Sequence, residues 1–420
     1  MSAESTVPAA LAPKRSLGPI TAALQWKLTA RGMLVTYVLL SFISFNIDNV
    51  LDPRALSYAY VYPIHHGLAI KIAQNITQLA LILVLLPLAV VLRFRRDALV
   101  AVLIACVFIS LQLFAVSTNT SWNRNYATPL WFCLFLLVGP VAMSLMRRTD
   151  LADIQRLVRT TSTALLVFFC VECATRIVLS PILLDRMDLA SWGFVTLGGG
   201  WFYRYKVSLF FLDANVAGLA LLCLAALLLG FRKYVHRWQI VLAYVLIGAT
   251  FSRASIFAAV CQLIIYGFWK HRRFIIGSLA FAGGLALSGL MVVTLRSGIE
   301  IVQSFDPSFA SKFLILMETW QWYAASSWLH RLVGVGAGNA SGVIGIAAHD
   351  IFATGVLEYG IVGSLLIAAY LWLFCRRSSR AASLLVVPVI INGFSLFSSA
   401  MPFFYVVLGI LAANGDGQCW

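Results

Sequence analysis

The sequence predicts an all-α integral membrane protein with about twelve transmembrane helices. Of its 420 residues, 61% are hydrophobic and only 11% are charged, whereas a soluble domain is roughly 45–50% apolar and about 25% charged. Apolar stretches recur along the whole chain, and basic residues cluster between every second pair of them. Because one span needs about 20 apolar residues, the chain has room for about a dozen spans and their loops.

Twelve apolar segments are the predicted membrane helices, several of them too short to span a bilayer alone. In chain order they are Met33–Phe45, Ile76–Leu92, Ala98–Val116, Pro129–Met146, Leu165–Leu184, Ser208–Phe231, Gln239–Thr250, Ile256–Trp269, Phe274–Thr294, Ile351–Phe374, Ala381–Ser399 and Pro402–Ala413. The shortest pair flanks Phe251–Ala254 and predicts a helical hairpin with its turn near one membrane face. Since no repeat or low-complexity linker interrupts the sequence, residues 1–420 are predicted to form a single polytopic membrane domain.

The basic loops predict the orientation of the chain in the membrane. Short cytoplasmic loops are enriched in Lys and Arg, and the basic clusters occupy alternate loops of the twelve-span arrangement. These clusters are Arg93–Arg96, Arg147–Arg148, Arg232–Arg237, Lys270–Arg273 and Arg376–Arg380. Placing them in the cytoplasm puts both termini there as well. The formal net charge of +15 is then an orientation signal, so nucleic acid is not expected as a partner.

Two loops on the predicted outer face are longer and more aromatic than the others. The largest covers residues 295–350, and its middle part, Phe309–Leu332, has helical periodicity with an apolar, Trp-rich face. This pattern predicts a helix that lies in the membrane interface. The second loop, Asp185–Val207, contains three successive glycines followed by aromatic and basic residues. Together the two loops are predicted to cover a cavity that opens to the lipid.

Arginines at membrane depth are candidate functional residues because polar groups are costly there. Arg253 lies between the two shortest segments, on the side opposite the basic loops. It either reaches the outer interface or pairs with a carboxylate such as Asp213, or it binds a phosphate through its guanidinium fork. Arg204 is either an ordinary interface residue or a second phosphate ligand, and Lys206 is a supporting candidate.

A histidine and an aspartate lie where the largest loop enters an apolar segment. Asp350 is predicted to be the helix N-cap. His349 is either a cap or packing residue, or a general base, because the unperturbed imidazole pKa is about 6.5. Such a histidine, with two arginines that stabilise a departing phosphate, suits transfer of a group from a phosphate to a hydroxyl.

Other chemistries lack their motifs in this sequence. No D-x-D and no His/Asp cluster at metal-ligand spacing occurs, so no metal is expected. The P-loop motif is also missing, which argues against ATP use of that kind. Glu172 and Arg176 are four residues apart in one apolar segment. They form either an internal salt bridge or part of an ion pathway.

Several segments together resemble the O-antigen ligase family of bacterial envelope glycosyltransferases. Gly334–Asn339 resembles the family's GxG stretch, His349–Phe352 its His-Asn pair, and Leu357–Gly363 its Glu-x-Gly-x-x-Gly helix. Ser252–Ser255 resembles its Ser-Arg-small motif, and Arg204 with Asn215–Ala217 resembles an arginine before an Asn-x-Ala helix start. One departure is Asp350, where asparagine is usual; the added carboxylate would raise the pKa of His349 or orient its ring.

The resemblance implies a multispanning, GT-C-like glycosyltransferase fold that uses a lipid-linked donor and neither metal nor cofactor. On that basis the protein would transfer a glycan from undecaprenyl pyrophosphate to a sugar hydroxyl of the lipid A core. The reaction would take place at the periplasmic face of the bacterial inner membrane, in lipopolysaccharide biosynthesis. The implied site consists of His349 as general base, Arg204 and Arg253 as pyrophosphate ligands, and Lys206, Asn215 and Asp350 as supporting residues.

Three alternative functions share part of this pattern. An O-antigen polymerase would use the same donor to extend another lipid-linked glycan, and a protein O-oligosaccharyltransferase would transfer the glycan to a protein. A transporter of lipid-linked glycan would also need a cavity with arginines. Alternating access predicts inverted repeats in the two halves of the chain. The sequence shows no such repeat, and the large loop at residues 295–350 is asymmetric, which argues against a transporter.

Overall fold

The part of the chain that the structure describes is helical throughout its regular elements. This computed structural model describes residues 32–36, 38–43, 94, 96–118, 134–185, 204–206, 208, 210–211, 213–267, 307–344, 350–376, 378–393 and 401–418. Its helices are α1 (Arg96–Thr118), α2 (Val138–Met146), α3 (Leu151–Asp185), α4 (Ala214–Gly230), α5 (Arg237–Ala249), α6 (Arg253–Gly267), α7 (Pro307–Ala325), α8 (Trp328–Val333), α9 (Ser341–Ile344), α10 (Ile351–Thr354), a π-helical turn (Gly355–Tyr359), α11 (Gly360–Cys375), α12 (Ser379–Gly393) and α13 (Pro402–Gln418).

Three helical stretches within these ranges are long and apolar enough to cross a membrane, namely Arg96–Thr118, Ala152–Pro181 and Ile351–Cys375. Helical residues are found in ten of the twelve predicted segments, including residues 33–36 and 38–42 of the first one. The other two, Ile76–Leu92 and Phe274–Thr294, lie outside the described residues. The described chain is therefore consistent with a helical membrane protein, while the number of twelve spans stays a prediction.

Helix α3 begins before the predicted start at Leu165. Ile154, Leu157 and Val158 are buried at helical spacing, so an amphipathic stripe extends the apolar helix backwards. Arg156 consequently lies within the helix.

The predicted interfacial helix Phe309–Leu332 was wrong as a single element, because it consists of α7 and α8. The break comes at Ser327, whose side chain accepts a hydrogen bond from the His330 N–H and caps α8; serine at this position competes with helix continuation. The Trp320 and Trp328 side chains are each 69% exposed. An aromatic surface is therefore present on both helices.

The helices run in alternating directions, so the polar residues at their termini form two groups on opposite sides of the protein. At one end, Arg376 after α11 forms an ion pair of 3.0 Å with Asp97 in the first turn of α1. At the other, Ser255 in the first turn of α6 donates to the Asn392 side chain near the end of α12, at 3.0 Å. We call the first the basic end, because it carries Arg148 and Arg376, and the second the site end.

Helix α4 is the centre of the core. It is apolar on all sides and almost completely buried, as expected of a helix surrounded by other helices. Helices α5, α6, α12 and α13 pack around it. Elsewhere α2 and α13 approach so closely that a Cβ at Gly409 would collide with the Gly139 carbonyl oxygen, which is how small residues let apolar helices meet.

Two prolines inside buried helices leave carbonyl groups that neighbouring helices satisfy. A proline cannot donate to the carbonyl four residues earlier, so Pro140 frees the Leu136 oxygen and Pro388 frees that of Leu384. The Tyr370 hydroxyl of α11 donates to the Leu136 oxygen. The Gln262 side chain of α6 donates to the Leu384 oxygen at 2.7 Å. Since an unsatisfied buried carbonyl is costly, these side chains help to fix the helix packing.

The Tyr370→Phe substitution is expected to destabilise the protein by about 1–3 kcal/mol, because the Leu136 carbonyl would be left buried without a donor. The free energy of unfolding in detergent measures this effect. Pro140→Ala supplies the matched control, since a backbone N–H at position 140 can donate to the same oxygen. In the Pro140→Ala background, Tyr370→Phe should cost less; an equal cost in both backgrounds contradicts the assignment.

Candidate functional site

The site end is organised around one buried ion pair. The Arg176 Nε donates to Glu172 Oε1 at 2.9 Å, and both side chains are almost completely buried in α3. The predicted internal salt bridge is thus confirmed. The remaining donors of the guanidinium bind carbonyl groups in two other parts of the chain, so Arg176 also holds those two parts in place.

The Arg204 segment is held by α3. Arg176 Nη1 donates to the Tyr205 carbonyl at 3.2 Å, and the Ser180 hydroxyl donates to the Arg204 carbonyl at 2.9 Å. The Ser208 hydroxyl donates to Glu172 Oε1 at 2.9 Å. These contacts fix the backbone, while the Arg204 side chain is exposed.

The turn before Arg253 is held by the same guanidinium. Arg176 Nη2 donates to the Ala249 carbonyl at 2.9 Å and Nη1 donates to the Thr250 carbonyl at 3.4 Å, so a cation caps the C-terminus of α5. Phe251 has a φ of 54°, which is rare for a bulky residue. Its ring stacks on Tyr205 with centroids 5.0 Å apart, and the two arginine-bearing segments therefore meet directly.

The Ser-Arg-small motif starts α6. The Ser252 hydroxyl accepts from the Ser255 backbone N–H at 3.3 Å, which is N-cap geometry. Arg253 is the first helical residue, and its side chain is exposed. The predicted hairpin is confirmed, but its turn is shorter than Phe251–Ala254 because α6 already begins at Arg253. Helix α4 passes close by, since a Cβ at Gly218 would collide with the Ser255 hydroxyl.

Asp213 and Asn215 form the start of α4. Asp213 Oδ1 accepts from the backbone N–H groups of Asn215 and Val216, each at 3.0 Å. Its Oδ2 accepts from the Asn215 side chain at 2.8 Å. Asp213 is therefore a helix cap. The Lys206 carbonyl accepts from the Ala214 N–H at 2.9 Å, so the Arg204 segment is anchored to the same helix start.

Asp350 caps α10, as predicted. Its Oδ1 accepts from the backbone N–H groups of Phe352 at 2.7 Å and Ala353 at 3.0 Å. Burial raises the pKa of this carboxyl group, whereas the two N–H donors and the nearby Lys312 lower it. The candidate base His349 lies outside the described residues, and its role stays a prediction.

Lys312 links the large loop to the other charged groups. Burial lowers the pKa of its ammonium group, the nearby Lys206 lowers it further, and Asp213 and Asp350 raise it. The Arg204–Lys206 segment, the start of α4 and the start of α10 therefore each carry a charge that acts on Lys312 of α7. The site end thus brings together segments that are distant in the sequence.

The glycine-rich stretch wraps around the π-helical turn. The N–H groups of Val335 and Gly336 donate to the carbonyls of Leu357 and Glu358 at 2.8 and 3.1 Å. A Cβ at Gly334 would collide with the Glu358 backbone. The buried Glu358 carboxylate accepts from the N–H groups of Gly338 and Ala340. The two glycine motifs are therefore parts of one scaffold, and π-helical turns are frequent at functional sites.

Comparison of the chain with protein-family models, curated proteins and solved structures finds no match. Helices α4 and α6 both begin at the site end, where their N-termini favour anions. Two exposed arginines lie in adjoining segments there, so the arrangement is suited to a phosphate-bearing ligand. Within the described ranges, no group of three or more His, Cys, Asp or Glu residues could hold a metal ion.

Two contributions were missed by reasoning from the sequence. The i, i+4 spacing revealed the Glu172–Arg176 pair, but not that Arg176 also holds the two arginine segments. Lys312 was not singled out as a site residue. The sequence nevertheless contained a signal for Lys312. It is a single lysine, three residues before Ile315, on a helix face that is otherwise apolar or weakly polar.

Proposed function

We propose that this protein is an O-antigen ligase with twelve transmembrane helices and a GT-C-like fold. It transfers a glycan from undecaprenyl pyrophosphate to a sugar hydroxyl of the lipid A core, without a metal or cofactor. In this proposal the basic end faces the cytoplasm, following the enrichment of Lys and Arg in cytoplasmic loops. The site end faces the periplasm of the bacterial inner membrane, and the exposed tryptophans of α7 and α8 lie in the interface.

The observation that carries the proposal is the junction of the Arg204 and Arg253 segments. One buried guanidinium, that of Arg176, donates to carbonyl groups in both, and Tyr205 stacks on Phe251. Arginines carried on two segments fixed in this way can stabilise the charge that develops on a departing phosphate. Asp350, the neighbour of His349 in the sequence, acts electrostatically on Lys312, as does Lys206 of the Arg204 segment.

The proposed reaction is a displacement at the anomeric carbon of the donor glycan. His349 accepts the proton of the acceptor hydroxyl, and the resulting oxygen nucleophile forms the new C–O bond. The bond between the anomeric carbon and the pyrophosphate breaks, and its electron pair leaves with undecaprenyl pyrophosphate. Arg204 and Arg253 stabilise that leaving group.

Arg253→Ala is expected to weaken binding of the pyrophosphate lipid by about tenfold or more, because a charge-assisted hydrogen bond is lost. Equilibrium binding of undecaprenyl pyrophosphate to the purified protein measures this. Arg159→Ala, which removes an exposed arginine of α3 far from the site end, should leave the affinity unchanged. Equal affinity of the wild-type protein and the Arg253 variant rules out this role for Arg253.

Deletion of the gene followed by gel analysis of lipopolysaccharide tests the function. The ligase predicts that polymer accumulates on undecaprenyl pyrophosphate while none reaches the lipid A core. Cores that carry a single repeat would identify an O-antigen polymerase instead. Unchanged lipopolysaccharide with loss of a glycosylated protein would indicate the protein O-oligosaccharyltransferase.

A further inference from the structure

A short connection between α4 and α5 carries exposed positive charges at the basic end. Helix α4 begins at the site end, so its last residue, Gly230, lies at the opposite end. The Tyr234 N–H donates to the Phe231 carbonyl at 2.8 Å, which turns the chain directly after this helix. The side chains of Arg232 and Arg237 on either side of this turn are both exposed.

One apolar cluster fixes the two arginines relative to each other. Leu229 near the end of α4 belongs to a buried cluster against which Ile240 and Tyr266 pack. The Arg232 N–H donates to the Leu229 carbonyl at 3.3 Å, and Arg237 lies three residues before Ile240, on the same side of α5. Each arginine is therefore about one helical turn from a residue of the same packed group.

The Arg232 guanidinium is held at the end of α6. Its Nη1 donates to the Tyr266 hydroxyl, and its Cζ is 5.5 Å from the centre of that ring. Because a phenol is neutral, this contact orients the positive charge without cancelling it. Among the described residues, no carboxylate forms an ion pair with Arg232 or Arg237, and residues 214–267 contain neither Asp nor Glu. The two charges thus lack an anionic partner within this part of the chain.

An exposed apolar surface begins beside these arginines. Val241 and Val245 follow Arg237 at i+4 and i+8, so the three residues form one row along α5. The two valines are 61% and 59% exposed. Helix α6 packs against α5, and its Val260 and Leu263 are exposed as well. Two positive charges at the end of an apolar surface match the chemistry of a lipid with an anionic headgroup.

We propose that Arg232 and Arg237 bind the phosphate of an anionic phospholipid whose acyl chain lies along Val241 and Val245. A guanidinium donates paired, charge-assisted hydrogen bonds to phosphate oxygens, and basic groups between membrane helices suit anionic headgroups. A zwitterionic phospholipid carries the same phosphate, but the arginines repel its ammonium group. The surface therefore selects lipids by net charge. This binding site is at the end opposite the proposed donor site and goes beyond the proposed function.

Native mass spectrometry of the purified full-length protein in detergent, titrated with phosphatidylglycerol, tests the inference. Arg232→Gln and Arg237→Gln should each weaken binding about fivefold, and the double variant about 25-fold. Wild-type protein should bind phosphatidylcholine more weakly than phosphatidylglycerol. Arg376→Gln is the matched control, because it removes a positive charge from the same end that is already paired with Asp97. This control should bind phosphatidylglycerol as the wild-type protein does.

Photo-crosslinking of the wild-type protein in nanodiscs provides a test that does not depend on a variant. The probes are phosphatidylglycerol and phosphatidylcholine, each with a diazirine in the acyl chain, and the adducts are mapped by mass spectrometry. Residues 237–245 should be labelled about fivefold more by the anionic probe. Leu103 and Val107, which are exposed on α1, should be labelled equally by both probes, as expected of contact with bulk lipid.

The inference is overturned by unchanged phosphatidylglycerol binding of the double variant, or by equal labelling of residues 237–245 with the two probes. An equal loss of binding in Arg376→Gln would show a general effect of charge and overturns the local site. Full displacement of phosphatidylglycerol by soluble glycerol phosphate would assign the arginines to a soluble ligand and overturns the lipid. These measurements involve neither undecaprenyl pyrophosphate nor glycan transfer, so their failure leaves the proposed function intact.

Discussion

Replacing His349 with alanine is expected to lower the rate of glycan transfer by about 10²- to 10⁴-fold, because the acceptor hydroxyl would lose its general base. Binding of undecaprenyl pyrophosphate should remain close to that of the wild-type protein, since the proposed phosphate ligands are Arg204 and Arg253. Single-turnover transfer with purified protein, lipid-linked donor and lipid A core measures the rate. The same preparation gives the donor affinity.

His330→Ala is a suitable control for the histidine variant. His330 belongs to the same large loop but lies on α8, where its ring nitrogen Nδ1 is 3.2 Å from the Ser327 hydroxyl. It is outside the proposed site, and transfer should persist in this variant.

The wild-type rate should fall as the pH drops through the imidazole pKa, because a protonated base cannot accept a proton. Full activity of His349→Ala would exclude it as the base.

Arg176→Met is expected to destabilise the protein by about 3–5 kcal/mol, because Glu172 would keep a buried charge without its partner. The carbonyl groups of Tyr205 and Ala249 would lose a donor at the same time. Thermal or denaturant unfolding in detergent measures the stability. Arg376→Met removes the ion pair with Asp97, in which the arginine is 42% exposed, and should cost only about 0–1 kcal/mol.

The double variant Glu172→Gln/Arg176→Met separates stability from positioning. Without the glutamate charge, the double variant should regain part of the stability that Arg176→Met loses. It should still bind undecaprenyl pyrophosphate weakly, because the guanidinium that donates to both the Arg204 segment and the turn before Arg253 is then missing. If stability and donor affinity recover together, the ion pair acts on folding alone and positions neither segment.

Local features of the site could be predicted from the sequence because they depend on neighbours within one helical turn. Asp350 was predicted as an N-cap, and its side chain accepts from backbone N–H groups two and three residues later. The Glu172–Arg176 bridge follows from i, i+4 spacing. The interruption at Ser327 was missed, because apolar periodicity continues across it and a serine cap competes with the helix only locally.

Contacts between helices could not be predicted in this way. The Tyr370 hydroxyl donates to the Leu136 carbonyl, and Arg176 reaches the Ala249 carbonyl at 2.9 Å. Each contact depends on the rotation and relative height of two helices. Apolar helices pack through shape and small residues. When the surrounding lipid is as apolar as the core, the hydrophobic pattern of a helix does not indicate its rotation or its height relative to its neighbour.

The sequence by itself determined the helical, apolar character of the chain, because composition and periodicity require most backbone groups to be satisfied within helices. It also singled out Arg204 and Arg253 as exceptions to that character. Only the tertiary structure decided that their segments meet, through Arg176 and the stacking of Tyr205 on Phe251. It also packed α7 against α10, the helix that Asp350 caps. The physical reason is that helix formation is local, whereas a site made by several helices exists only once their packing is fixed.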